Sequence, residues 1–163
     1  AAVMAAALAS GCEQLQMPRP NACPQKLQGT YSFESRSIQW EGPNDKKVEA
    51  SADILSVLVE CIPAYHPAIE TDQGRRAAFT DYELAATASV GYKIADQASF
   101  GTRDANLIFE AVAASGVVLG STQTAFRIVS GGTSGTASAR IAAISDEEIR
   151  RVTSVQARWA YGR

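Results

Sequence analysis

Histidine is nearly absent from this chain. His66 is the single one, and the three cysteines form no CxxC pair. Zinc-type centres need several such ligands at short spacing, so the sequence offers no ligand set for a metal. An excess of basic residues is missing too. Fifteen Lys and Arg stand against seventeen Asp and Glu, for a net charge of −2, and a nucleic-acid binder would carry a basic footprint. No apolar run approaches the ~18–20 residues that a bilayer-spanning helix requires. Aromatics are only 7% of the chain, and much of the 46% hydrophobic content is alanine. Small side chains bury little area each, so a core must lean on the few Phe, Tyr, Trp, Leu, Ile and Val anchors. A chain of 163 residues is still long enough to form one domain around such a core.

What is present is period-2 patterning. In Phe79–Ile94 (FTDYELAATASVGYKI), Tyr82, Leu84, Ala86, Ala88, Val90, Tyr92 and Ile94 share one face. Asp81, Glu83, Thr87, Ser89 and Lys93 share the other. That is the signature of a long, half-exposed antiparallel strand, with Gly91 as a place to bend. Thr30–Trp40 also reads as a strand, but Tyr31 and Phe33 lie in one phase while Ile38 and Trp40 lie in the other, so a bulge or bend is expected between them. Lys46–Ile62 is ambiguous. Leu55, Val57, Val59 and Cys61 alternate as in a strand, while Ile54, Leu58 and Ile62 recur at helical spacing. Val and Ile enrichment favours a strand from Ala52 onward. The stretch IPAYHPAIETDQGRR, with two prolines, reads as a loop.

Asn106–Leu119 is apolar on both faces and broken by Gly116. Ala125–Ser130 and Ala137–Ile144 flank the Gly-rich GGTSGT as a plausible hairpin. Ser145 with Glu148 matches a capping box for a single helical turn. Val155, Ala157, Trp159 and Tyr161 alternate at the end of the chain. The expected fold is therefore mainly β: an antiparallel β-sandwich or small barrel with at most one or two short helices.

Motifs that could carry chemistry each meet a plainer reading. GGTSGT lacks the GK[ST] ending of a phosphate loop, and between strands it reads as a turn. His66 could join an Asp and a Ser in a triad, but a loop-packing histidine explains it as well. Asp146, Glu147 and Glu148 could hold a cation, yet acidic residues also suit a solvated helix N-terminus. Tyr82, Tyr92, Trp40 and Trp159 could line a ligand pocket inside a barrel, or simply form core. No catalytic constellation emerges, and neither a cofactor nor enzyme activity is expected.

The opening run, AAVMAAALASGC, points to location. Ala1–Leu8 has the composition of a signal-peptide apolar region, and Ala9-Ser10-Gly11 are the small residues that precede cleavage. Lacking an initiator Met and a basic leader, the sequence reads as starting partway through a precursor. The stretch Leu8-Ala9-Ser10-Gly11-Cys12 resembles the lipobox of bacterial lipoproteins, with Ala9 where the commonest form has leucine. The resemblance covers these few residues and does not extend to the domain behind them. A signal peptide with an incidental cysteine is the alternative.

The resemblance implies that Cys12 carries diacylglycerol on its thiol and becomes the first residue after cleavage, bearing at least two acyl chains of the palmitate kind. One chain holds a protein weakly, and two hold it stably. Residues 1–11 are then a signal-peptide remnant. Residues 12–28 are the lipidated cysteine and an extended, proline-bearing tether, and 29–163 a β-rich periplasmic domain. Glu13 is not the aspartate associated with inner-membrane retention, so the implied place is the outer membrane, facing the periplasm. With Cys12 acylated, Cys23 and Cys61 remain to pair as a disulfide in an oxidising compartment. Such a bridge, closing a loop of roughly forty residues, contributes about 3–4 kcal/mol on the chain-entropy model.

The function expected is that of a membrane-anchored envelope lipoprotein with a non-enzymatic scaffold, assembly or interaction role. Its partners would be the membrane, through the anchor, and other envelope proteins, with no nucleic acid. Two alternatives are a ligand-binding β-barrel with a cavity along the Tyr82–Ile94 face and an integral outer-membrane barrel.

Overall fold

The computed structural model describes residues 22–41, 47–96, 100–141 and 144–161. In chain order the elements are β1 (Gln28–Tyr31), β2 (Arg36–Glu41), β3 (Lys47–His66), β4 (Ile69–Thr71), β5 (Gly74–Arg76) and β6 (Phe79–Ile94). There follow β7 (Thr102–Ala113), β8 (Val118–Val129), β9 (Ser134–Ile141), the single-turn helix α1 (Asp146–Ile149) and β10 (Val152–Ala160). Two four-stranded sheets face each other, one in the order β1-β10-β7-β8 and the other β2-β3-β6-β9; β4 and β5 form a separate hairpin. The sheets do not close into a barrel. The fold is the expected mainly-β, sandwich-like one, antiparallel except where β1 runs parallel to β10.

The scarcity of large side chains is met by dividing labour between the sheets. The first sheet points Leu107, Phe109, Phe126, Ile128, Val155 and Trp159 inward, all buried. The second presents a floor of small residues, with Ala50, Ala52, Ala86, Ala88 and Ala137 buried among Ile54, Leu84, Val90 and Ile141. Large opposite small lets two sheets of unequal bulk interdigitate in one continuous core.

The ambiguity of 46–62 has a simple cause. The antiparallel register pairs Ile54 with Val90 but Ser56 with Ser89, leaving Leu55 as an extra residue on β3. This is a β-bulge. Before it Val48, Ala50, Ala52 and Ile54 face the core; after it the inward phase passes to Val57, Val59 and Cys61, which are half-buried. Leu55 (56% exposed) and Leu58 (62%) are left outside. One strand with a phase change mimics helical spacing, so the whole of Lys47–His66 is strand. Gly91 is not a break in β6: it lies under Leu55, whose Cδ1 would stand 3.2 Å from any Cβ there.

Three other expectations are corrected. Thr30–Trp40 is not one bent strand, because β1 belongs to one sheet and β2 to the other, and the opposite phases of Tyr31 and Ile38 record that crossing. The segments flanking GGTSGT are not a hydrogen-bonded hairpin, since β9 crosses to the other sheet and pairs with β6. Here Tyr92 decides the path. Its hydroxyl donates to the Val129 carbonyl (3.2 Å) and accepts from the Val129 amide (3.4 Å), and a Cβ on Gly132 would sit 2.0 Å from that oxygen. Finally, the supposed loop after Ile62 is strand up to His66, followed by the β4–β5 hairpin.

Candidate interaction site

The β3–β6 ribbon outruns its neighbours. β2 pairs with β3 no further than Ala52, and β9 pairs with β6 only from Leu84. Over Ile62–His66 and Phe79–Glu83 the two strands pair with each other alone. They project as a two-stranded arm, continued by the exposed β4–β5 hairpin. An isolated two-stranded ribbon is marginal in water, so the arm needs its own side-chain ties.

Those ties converge on the predicted His66. Its Nε2 lies 2.9 Å from Oδ1 of Asp81, and its ring stacks on Phe79 with centroids 4.5 Å apart and planes 15° from parallel. The Arg76 guanidinium lies 5.1 Å from the Phe79 centroid, a cation–π arrangement. Guanidinium, ring, imidazole and carboxylate thus form one chain of contacts across the arm. Among the described residues no serine or cysteine hydrogen-bonds the imidazole, so the triad reading lacks a nucleophile. Glu70 and Arg75 pair at 3.5 Å, both almost fully solvated, a contact worth little. Tyr65 (69% exposed) and Ile69 (42%) complete an accessible surface.

The edges of the arm are closed to strand addition. Pro63 lies opposite Tyr82. The Tyr82 amide points away from β3 and donates to Oδ1 of Asp146 in α1 (3.4 Å). The pair is therefore of the non-hydrogen-bonded kind, and the N–H that Pro63 lacks would have faced the open side of β3. Proline stands on one edge and an aspartate cap on the other.

At the root of the arm Cys23 and Cys61 form a disulfide, with Cα atoms 5.7 Å apart and a sequence separation of 38. Ala22 is fully buried, so the body takes hold of the chain there, ahead of β1 and of residue 29. Farther down, Gly29 presses against β3 so closely that a Cβ would lie 2.1 Å from the Val57 carbonyl oxygen. The segment from Cys23 to Gly29 therefore runs along the open edge of β3, away from the arm. Cys12 and the opening run lie outside the described residues.

The remaining candidates resolve into structure. The acidic triplet is the first turn of α1, where Ser145 and Glu148 complete the capping box. Tyr92 and Trp159 are core, and Trp40 and Tyr82 pack against it. The face from Leu84 to Tyr92 that a ligand-binding barrel would need as a cavity wall is buried against the opposing sheet. Among the described residues no group of His, Cys, Asp and Glu could hold a metal. At the end away from the arm, Tyr161 donates to Glu34 (3.0 Å). That hydrogen bond above all, with the carboxylate's charge beside it, raises the phenol above its ordinary value of 10.0, while Arg36 pulls it down.

Sequence reasoning missed the arm, which was hidden by its prolines, and Phe100. Phe100 is buried to 2% and meets Trp40 edge-on, with centroids 4.4 Å apart. A lone aromatic between polar residues carries no periodic signal. No family model, curated protein or solved structure matches this chain.

Proposed function

We propose that this chain is a lipid-anchored protein of the bacterial envelope whose β-sandwich works by contact rather than catalysis, as a scaffold or interaction component. The Cys23–Cys61 disulfide carries the reading. It is the pairing expected if the third cysteine, Cys12, is withdrawn by acylation, and stable disulfides belong to oxidising compartments such as the periplasm. The filled core along Leu84–Tyr92 favours contact over ligand carriage, and the accessible arm provides a surface for it. The outer membrane, facing the periplasm, is the location proposed.

The test is intact mass of the protein extracted from bacterial membranes. A chain beginning at Cys12 and carrying acyl groups supports the reading, and Cys12→Ala should then move the protein to the soluble fraction. An unmodified Cys12, or a Cys12→Ala protein still held in the membrane, overturns it.

A further inference from the structure

We propose that the arm is the membrane-facing end of the domain, and that Tyr65, Ile69, Arg75 and Arg76 rest on the phospholipid headgroups of the bilayer that holds Cys12. The inference rests on the anchored reading and adds an orientation and a contact surface to it. It begins from where the tether meets the body. The disulfide fixes Cys23 at Cys61, the root of the arm, and the chain from Cys23 to Gly29 leads away from the arm along β3. The tether is therefore delivered from the arm's side of the sandwich.

Lengths decide the rest. Eleven residue steps separate Cys12 from Cys23. As a flexible chain they span roughly 18–20 Å, and fully extended no more than about 36–40 Å. From Cys61 to His66 the arm rises about 17 Å, and the β4–β5 hairpin extends beyond His66. A tether of this reach, attached at the root, keeps the arm within touching distance of the surface. Proximity of that kind acts as a high effective concentration, so individually weak contacts suffice.

The side chains suit a headgroup layer. Tyrosine is favoured at membrane–water interfaces, and arginine pairs with phosphate in a two-pronged geometry. The hairpin's charges cancel, with Glu70 and Asp72 against Arg75 and Arg76. Long-range attraction to anionic lipid is therefore absent and the tether supplies the approach. Contact should depend strongly on tether length and weakly on salt.

Because Cys23 and Cys61 are bonded, Cys12 of the chain without its acyl groups is the single free thiol among the three cysteines. It can be coupled to a maleimide-headgroup lipid in vesicles of phosphatidylethanolamine and phosphatidylglycerol, which makes this test independent of natural acylation. Amide hydrogen exchange is compared between the coupled protein and the same protein in solution. Exchange in Ile69–Arg76 should slow several-fold on vesicles. The protection should be lost in the I69S/R75A/R76A variant, whose melting temperature stays close to that of the parent, and reduced when about twenty Gly/Ser residues are inserted after Pro18. Equal exchange on vesicles and in solution overturns the proposal, as does protection gathered at Phe33 and Tyr161. Failure of the anchored reading would instead appear as an unmodified Cys12 in the intact mass.

Discussion

The body and the arm are built from the same two strands, yet they are stabilised in opposite ways. In the body, β3 and β6 are covered on one face and flanked by β2 and β9, and their inward residues are almost all small. Stability there is delocalised over a core in which Phe109 and Trp159 meet a floor of alanines. In the arm the same strands lose both neighbours, and named pairwise contacts replace the core: His66 with Asp81, Phe79 with His66, Arg76 with Phe79. The first kind of stability is cooperative and expensive to disturb. The second is a set of small, exposed increments that can be removed one at a time.

The largest expected effect is in the body. Phe109→Ala leaves a void against small neighbours that cannot collapse into it, and should cost about 3–5 kcal/mol by urea denaturation. Next comes the seam between the two regions. The double variant C23S/C61S opens a 38-residue span and should lose about 3–4 kcal/mol. Hydrogen exchange should rise along β1 and Asp53–Cys61 while β7 and β8 stay protected.

The bulge offers a sharper comparison. Deleting Leu55 restores a regular register, leaving Val57, Val59 and Cys61 facing inward as before, and should cost about 1 kcal/mol or less. In thermal melts of a domain this size that is about 2–4 °C. Deleting Leu58 instead removes a residue from within the ladder and turns Val59 and Cys61 outward, and should prevent the disulfide from forming. The smallest effect is His66→Ala, within about 1 kcal/mol, with faster exchange confined to residues 62–83. Global destabilisation by that change would show that the arm is part of the cooperative body.

The two regions also differ in how far the sequence announces them. β6 is legible because every second residue from Leu84 to Tyr92 is buried and no irregularity interrupts it. β3 is illegible because Leu55 shifts the phase midway, and a phase shift of one looks like a helical period. The β8–β9 connection misleads for another reason. Gly131, at φ 86°, and Gly132 satisfy a tight turn equally well whether the chain returns along the same sheet or crosses to the other. Only the placement of the Tyr92 hydroxyl, a tertiary fact, separates the two. Cys23 and Cys61 were readable through the parity of the cysteine count. The arm was not: Pro63 normally argues against a strand interior, and it is tolerated here because the side of β3 that would need its N–H has no partner.

That proline has a consequence for how many copies can live together. Molecules confined to a surface collide in two dimensions, repeatedly and in a restricted set of orientations, so a ribbon with exposed backbone on both flanks would invite neighbour-to-neighbour zippering into fibres. The missing donor at Pro63 and the Asp146 carboxylate seated on the Tyr82 amide remove the two places where such a zipper would start. Dense populations of this chain can therefore crowd side by side and remain separate molecules.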